Sequence, residues 1–206
     1  MMEAATVSAP LPDERLLIRE LTHRINNEFT CAANMIALAI ARARDREATA
    51  ALTTVMEHLE DYARVHRAMR EPDIEAGVDA SVYLRKLCHA IGRSKLERKN
   101  IDLIFVERAL SLDGQQCWLL GMILYELIDG AARHAFSARG GEIRVDITQS
   151  GRRVECRVLD NGTAPSAMRH GRGCSLVEEL AASLGGACDR RLSPGASACA
   201  VIFPAR

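Results

Sequence analysis

A long apolar repeat, running from Pro12 to about residue 43, sets the first limit on the fold. Apolar side chains recur there every three or four positions, a spacing that lines them up along one face of an α-helix. Asp13 and Glu14 follow the proline and suit a helix start, because acidic groups favour the positive end of the helix dipole. The members of this stripe are Leu17, Leu21, Ile25, Phe29, Ala32, Ile36 and Ala39.

A second helical pattern, residues 48–71, follows the charged stretch RARDRE, which predicts a turn. Its apolar face carries Leu52, Val55, Leu59, Tyr62 and Val65, and Pro72 ends it. Two long helices joined by a short turn predict a helical hairpin over residues 12–72, preceded by a loose arm over residues 1–11. One hairpin buries only part of such a stripe, so we expect two copies to form a dimeric four-helix bundle.

Residues 78–206 have a different pattern, in which helices alternate with strands. Helices are predicted at 80–98, 115–136 and 174–186, a strand at 101–107, and a turn at 111–114. Two strands flank a turn at Ser150-Gly151, and a final hairpin turns at Pro194-Gly195. Helices on one face of a mostly antiparallel sheet predict an α+β class, with a two-layer sandwich after the hairpin.

Composition narrows the range of partners. Lys plus Arg and Asp plus Glu both number 27, so overall charge favours neither nucleic acid nor an anionic membrane. The seven cysteines are scattered without a CxxC pair, which is typical of buried thiols in a reducing compartment. No signal peptide or membrane span is recognisable, and we therefore expect a cytoplasmic location.

The stretch ELTHRINNEF, residues 20–29, contains the first candidate for chemistry. His23 lies two residues from both Leu21 and Ile25, about 200° around the helix, so it should point away from the apolar stripe. Arg24 and Asn27 are its neighbours on that outer surface. An exposed imidazole can act as a nucleophile, and a guanidinium can balance a phosphoryl group. The alternative from spacing alone is a solvated helix face that happens to contain a histidine.

A second set of candidates lies in the C-terminal half. Asp160 stands at a strand end in LDNG, where it could accept a hydrogen bond from an exocyclic amine such as that of adenine. Gly162 closes this turn, and Gly171 and Gly173 immediately precede a helix, where backbone amides favour phosphate. Each motif alone is also compatible with a tight structural turn.

The order of these motifs resembles the core of two-component histidine kinases, from about residue 12 to the end. The histidine box His23-Arg24-Ile25-Asn26-Asn27 is similar to the HRxxN type of that family. ELIDGAARHAF (126–136), Asp160-Asn161-Gly162 and GRGCSLVEELAASLGG (171–186) are similar to three boxes of its ATP-binding domain. The resemblance implies a dimerising hairpin that carries a phosphorylated histidine, and an ATP-binding sandwich of the gyrase and Hsp90 type. It also implies response-regulator receiver domains as partners.

The same resemblance implies roles for individual residues. His23, Arg24 and Asn27 fall on the phosphoacceptor box, and the nucleotide-binding positions are Glu126, Arg133, His134, Asp160, Gly162, Gly171 and Gly173. ATP and magnesium are the cofactors that it implies. Gly130, however, stands where the family has the asparagine that holds magnesium, and glycine offers no ligand atom. We therefore name no metal-binding residue.

Three interpretations follow from an intact histidine box beside an altered metal box. In the first, the chain is a phosphotransfer carrier, in which His23 passes a phosphoryl group between receiver aspartates. In the second, it is an ATP-dependent histidine kinase without a sensor, in which Asp129 or water completes the metal shell. In the third, it is a pseudokinase adaptor that docks a response regulator without chemistry.

Overall fold

The computed structural model describes residues 12–70, 78–106, 108, 110–136, 140–162, 172–193 and 196–206. The chain divides into two compact units, and the division falls between Arg67 and Ala68. The sequence predicts the boundary between residues 72 and 78, and the residues between these two positions lie outside the described residues. Among the described helices, none is long and apolar enough to cross a membrane.

The first unit consists of two helices, α1 (Pro12–Arg42) and α2 (Arg46–Ala68). The predicted helical hairpin is thereby confirmed. Asp45 starts α2, because its carboxylate accepts a hydrogen bond from the Ala48 N–H at 2.8 Å and so satisfies an amide of the first turn. The rings of Phe29 and His66 lie 5.1 Å apart, so the two helices approach each other well beyond the turn.

The second unit is built on a five-stranded sheet with the order β2-β4-β5-β7-β6. Strand β2 runs parallel to β4, and the other three pairings are antiparallel. A separate two-stranded sheet pairs β1 with β3. The strands are β1 (Val78–Asp79), β2 (Ile101–Val106), β3 (Ser111–Leu112), β4 (Gly141–Ser150), β5 (Arg153–Asp160), β6 (Ala187–Ser193) and β7 (Ala196–Pro204).

The helices of the second unit are α3 (Ala80–Ile91), α4 (Gly114–His134) and α5 (Arg172–Ser183). Alternate residues of the central strands are buried beneath them, as in the run Ile143, Val145 and Ile147 of β4. This pattern is that of a sheet with one face covered by helices. The predicted α+β class, with a mostly antiparallel sheet, is confirmed.

Two local predictions need correction. The predicted turn at 111–114 is a short strand, Ser111–Leu112, followed by Asp113, whose carboxylate caps α4 by accepting from the Gln116 N–H at 2.7 Å. The predicted helix at 80–98 is regular only to Ile91. It continues as a π-helical turn, Gly92–Leu96, and a 3₁₀ turn, Glu97–Lys99. In both cases contacts with distant parts of the unit decide the outcome, which a local pattern does not record.

Candidate functional site

His23 lies on the exposed surface of α1, together with Arg24 and Asn27. The Asn27 amide nitrogen is 3.2 Å from Nδ1 of His23, one helical turn away. Arg24 donates to the Glu20 carboxylate at 2.8 Å on the same stretch of helix. The three side chains therefore form one polar surface around the imidazole, with Nδ1 engaged by a neighbour.

The face of α1 that carries the apolar stripe is also exposed in the single chain. Leu17, Leu21 and Ile25 keep 62%, 58% and 41% of their surfaces accessible. Leaving several large apolar side chains in water forfeits about 1.5–3 kcal/mol for each one that could be buried. Contiguous apolar surface of this kind marks an interaction face. This face lies on the side of the helix away from His23.

The metal-ligand position of the resemblance is Gly130 in α4. A Cβ placed on Gly130 would meet no described atom within 4 Å, so there is room for a side chain that the sequence does not supply. Gly121, earlier in the same helix, differs sharply. A Cβ there would lie 2.9 Å from the Tyr83 ring and 3.1 Å from Leu87. A Cβ at position 121 would therefore press against Tyr83 and Leu87, whereas one at position 130 would not be crowded.

Asp129, the neighbour of Gly130, is only 8% exposed and is held by two cations. Lys95 approaches one carboxylate oxygen at 2.7 Å, and Arg133 approaches the other at 2.8 Å. The Lys95 ammonium also lies 5.1 Å from the centre of the Tyr125 ring. Although burial lowers it, the pKa of Lys95 is raised overall by hydrogen bonds and charge interactions with Asp129 and Tyr125. Both oxygens of Asp129 thus have partners within the protein.

This arrangement does not fit a magnesium ion at Gly130. The described residues contain no group of three or more His, Cys, Asp or Glu side chains that could hold a metal. The adjacent carboxylate of Asp129 is neutralised by Lys95 and Arg133. A divalent cation there would have to displace two positive charges. Lys95 was missed by the sequence argument, since it lies 34 residues before Asp129 and only the π-helical turn and the packing of the unit bring the two together.

The turn Asp160-Asn161-Gly162 lies against the C-terminal end of α4. The Asp160 carboxylate accepts from the Gly162 N–H at 3.1 Å, which closes the turn. The Asn161 side chain accepts from the Glu142 N–H at 2.8 Å. A Cβ on Gly162 would collide with the backbone carbonyl of Ala135, so glycine permits this close approach.

The remaining predicted nucleotide positions belong to α4 and α5, except Gly171. Glu126 is half-buried on α4, and Arg133 and His134 are exposed near its end. Gly173 lies in the first turn of α5. Gly171 lies outside the described residues. The structure thus brings Asp160 and Gly162 to the end of α4, whereas Arg133 is turned towards Asp129.

Comparison with known proteins agrees with this architecture. Residues 20–95 match a family described as Histidine kinase. The sensor histidine kinase PdtaS of Mycolicibacterium smegmatis is 28% identical over 151 residues, 70% of this chain and 29% of that protein. PdtaS of Mycobacterium tuberculosis is 27% identical over the same shares of the two chains. The chain therefore spans less than a third of the length of these relatives.

Solved structures share the fold at low sequence identity. The histidine kinase domain of the blue-light activated histidine kinase EL346 from Erythrobacter litoralis gives a TM-score of 0.58 at 14% identity, covering 85% of this chain and 96% of that chain. A bacterial phosphotransferase gives 0.60 at 11% identity, covering 94% and 98%. The chain is thus similar in sequence to histidine kinases over residues 20–95, and it shares the fold of a histidine kinase domain.

Proposed function

We propose that this chain is a histidine phosphotransfer protein of a two-component pathway. His23 takes a phosphoryl group from the aspartate of one receiver domain and passes it to another. The fold is shared by kinases and by a phosphotransferase, so it does not separate the two activities. The observation that supports transfer over kinase chemistry is a contrast. His23, Arg24 and Asn27 are all exposed on α1, as the histidine box requires. Gly130, by contrast, has no ligand atom, and the Asp129 carboxylate is already paired with Lys95 and Arg133.

The contact between Asn27 and His23 determines which ring nitrogen reacts. The Asn27 amide nitrogen faces Nδ1 at 3.2 Å. Rotation of the amide by 180° exchanges its nitrogen and oxygen, so that the oxygen accepts the Nδ1 proton and the lone pair resides on Nε2. This lone pair attacks the phosphorus of an aspartyl phosphate. An N–P bond forms, the P–O bond to aspartate breaks, and the carboxylate leaves. The Nδ1 proton stays on the ring, where Asn27 stabilises the positive charge that develops.

Arg24 would neutralise part of the phosphoryl charge. Its present partner, Glu20, forms an exposed ion pair with it, and such pairs contribute about 0–1 kcal/mol. Exchange of this weak partner for a phosphoryl oxygen therefore costs little, and guanidinium bonds to phosphate are among the stronger charge-assisted ones. Magnesium and the acidic pocket for the reaction come from the receiver domain in this scheme.

The exposed apolar face of α1 is best explained by a second copy of the chain. Leu17, Leu21 and Ile25 lie on the side away from His23, so a helical bundle formed through them leaves the imidazole open to a receiver. Burial of this face in a dimeric four-helix bundle would satisfy the apolar surface that one hairpin leaves accessible.

Transfer from a phosphorylated receiver domain tests the proposal. We expect radiolabel from a receiver aspartate to appear on the wild-type chain, and His23→Gln to abolish it. His58→Gln, a histidine on α2 outside the proposed site, is the matched control and should accept label normally. Asn27→Asp should retain transfer because a carboxylate also accepts the Nδ1 proton, whereas Asn27→Leu should slow it about 10²-fold or more. Label on the His23→Gln protein would remove His23 from the mechanism.

Incubation with labelled ATP and magnesium tests the alternative kinase activity. We expect no label on the wild-type chain, since Gly130 offers no ligand and Asp129 is occupied. Autophosphorylation that disappears in His23→Ala would establish a kinase instead. If the wild-type chain neither accepts label from ATP nor exchanges it with any receiver of the same cell, an adaptor without chemistry would replace both proposals.

A further inference from the structure

Three cysteines converge on one arginine beneath α5. On β6, Cys188 and Arg190 lie on the same face of the strand, and Arg190 is paired in register with Cys199 of β7. The sulfurs of Cys188 and Cys199 are 3.1 Å apart. The Arg190 guanidinium also donates a hydrogen bond to Cys174 of α5. The scattered cysteines predict buried thiols, which is confirmed for Cys199 but not for the half-buried Cys174 and Cys188.

The charges around the pair make its two sulfurs unequal. The pKa of Cys188 is lowered to about 6, first by the hydrogen bond from the Cys199 thiol and then, against the effect of burial, by Arg190. The pKa of Cys199 is raised, because it shares that hydrogen bond and is buried. The lowered pKa favours the thiolate form of Cys188, which lies beside a thiol and a guanidinium. This combination is typical of reactive cysteines.

The other described cysteines differ in surroundings. Cys88 and Cys117 are buried, and burial raises the pKa of each thiol to about 12. Burial likewise raises the pKa of Cys156. These three thiols stay protonated and sheltered, so they serve as internal references for the reactivity of Cys188. Cys31 is exposed on α1, in the other unit.

We propose that Cys188 and Cys199 form a redox-sensitive dithiol, which peroxide converts into an intrachain disulfide between β6 and β7. The geometry carries the proposal. The two sulfurs already lie about 1 Å beyond the length of a disulfide bond, on neighbouring strands and on the same face of the sheet. Strand β6 is the last in the order of the described sheet, so one of its sides is not held by another described strand.

The oxidation proceeds in two balanced steps, with hydrogen peroxide as the oxidant. The Cys188 thiolate attacks one peroxide oxygen, an S–O bond forms, the O–O bond breaks, and hydroxide leaves. The sulfur loses two electrons and becomes a sulfenic acid. Cys199 then attacks that sulfur, an S–S bond forms, and the S–O bond breaks. The departing hydroxide takes the Cys199 proton, so the products are one disulfide and, after neutralisation, two waters.

Arg190 connects this chemistry to the start of α5. Its guanidinium forms hydrogen bonds with both Cys188 and Cys174. Cys174 directly follows Gly173 in the first turn of α5. A disulfide removes the negative charge of Cys188, so Arg190 loses its anionic partner next to that turn. The oxidised and reduced forms therefore differ by one negative charge beside Arg190, close to the glycine motif. A thiol reductant would restore the original state.

Peptide mapping of the intact protein tests the proposal. The purified chain is treated with equimolar hydrogen peroxide at pH 7, remaining thiols are blocked with N-ethylmaleimide under denaturing conditions, and the protein is digested with trypsin. We expect a linked pair of peptides, residues 173–190 and residues 192–206, which is 2 Da lighter than the sum of the two and is lost on treatment with dithiothreitol. Cys88, Cys117 and Cys156 should all carry the maleimide.

Three variants assign the linkage. Peptide 173–190 contains both Cys174 and Cys188, so Cys174→Ser should keep the linked pair, whereas Cys188→Ser and Cys199→Ser should each abolish it. If Cys188→Ser retains the linkage, or if Cys188 is alkylated by iodoacetamide at pH 7 no faster than Cys88 in the native protein, the proposed dithiol is wrong. A wild-type protein that forms no linked pair under peroxide would overturn it as well. None of these readouts depends on the proposed transfer at His23.

Discussion

Replacement of Gly130 by alanine should stabilise the second unit. A glycine inside a helix costs about 1 kcal/mol relative to alanine, and the cost falls near a helix end. Gly130 lies in the last turns of α4, and a Cβ there would meet no described atom within 4 Å. We therefore expect Gly130→Ala to raise the free energy of unfolding by about 0.5–1 kcal/mol.

Gly121→Ala is the matched control, because it makes the same change in the same helix. A Cβ at Gly121 would lie 2.9 Å from the Tyr83 ring, and overpacking of this kind costs about 1–3 kcal/mol. That cost exceeds the gain of about 1 kcal/mol in helix propensity. We expect a net loss of stability of about 1 kcal/mol. The two glycines should thus shift stability in opposite directions.

Urea unfolding measures both effects. The chain has one tryptophan, Trp118, and it lies on α4, so its fluorescence reports on the unit that contains both glycines. With a urea m-value of about 1–3 kcal/mol/M, Gly130→Ala should move the midpoint upward by roughly 0.2–1 M. A midpoint that falls for Gly130→Ala would mean that position 130 is covered in the folded protein. Glycine at position 130 would then be explained by close packing in the folded protein and not by a change in metal binding.

The remaining predictions concern the ion network and the apolar face. Lys95→Met should cost about 1–3 kcal/mol in urea unfolding at pH 8, because it leaves the buried Asp129 with one partner, and Arg133→Met, which removes a more exposed partner, should cost about 1 kcal/mol or less. The pKa of Lys95 is raised in the folded protein, so its contribution is complete below the unfolded value of about 10.4 and is lost as the pH rises through the folded value. The difference between wild type and Lys95→Met should therefore shrink in unfolding at pH 11. If the proposed dimer forms through this face, Leu21→Glu should be monomeric in sedimentation equilibrium, whereas Leu16→Glu, about 140° around the helix, should remain dimeric. Dimers that persist in Leu21→Glu would place the interface elsewhere.

The elements that sequence periodicity predicted well are those whose patterns are local. The three-and-four spacing of α1 and α2 and the alternation in β4 each repeat often enough to identify the element and its apolar face. Periodicity did not predict the short elements correctly. Ser111–Leu112 forms a strand only because Val78–Asp79 lies beside it, and the π-helical turn after Ile91 interrupts what is locally a good helical pattern.

In the candidate site, too, some features follow from the local sequence and others do not. The exposed position of His23 beside Asn27 follows from helical geometry, because residues four apart share a face. The partners of Asp129 do not follow in this manner. Arg133 is one turn away on the same helix, but Lys95 reaches the carboxylate from a segment 34 residues earlier. The meeting of Cys188, Cys199 and Arg190 likewise depends on the register between β6 and β7.

The amino-acid sequence by itself determined the long helices, the α+β class of the second unit, the outward histidine and the absence of a side chain at position 130. Each of these depends on residue identity or on spacing along one element. The tertiary structure decided that Asp129 is neutralised by Lys95 and that Cys188 and Cys199 lie beside one guanidinium. Charge interactions and bond formation depend on distances of a few ångströms between distant segments, and only the packing of those segments sets such distances.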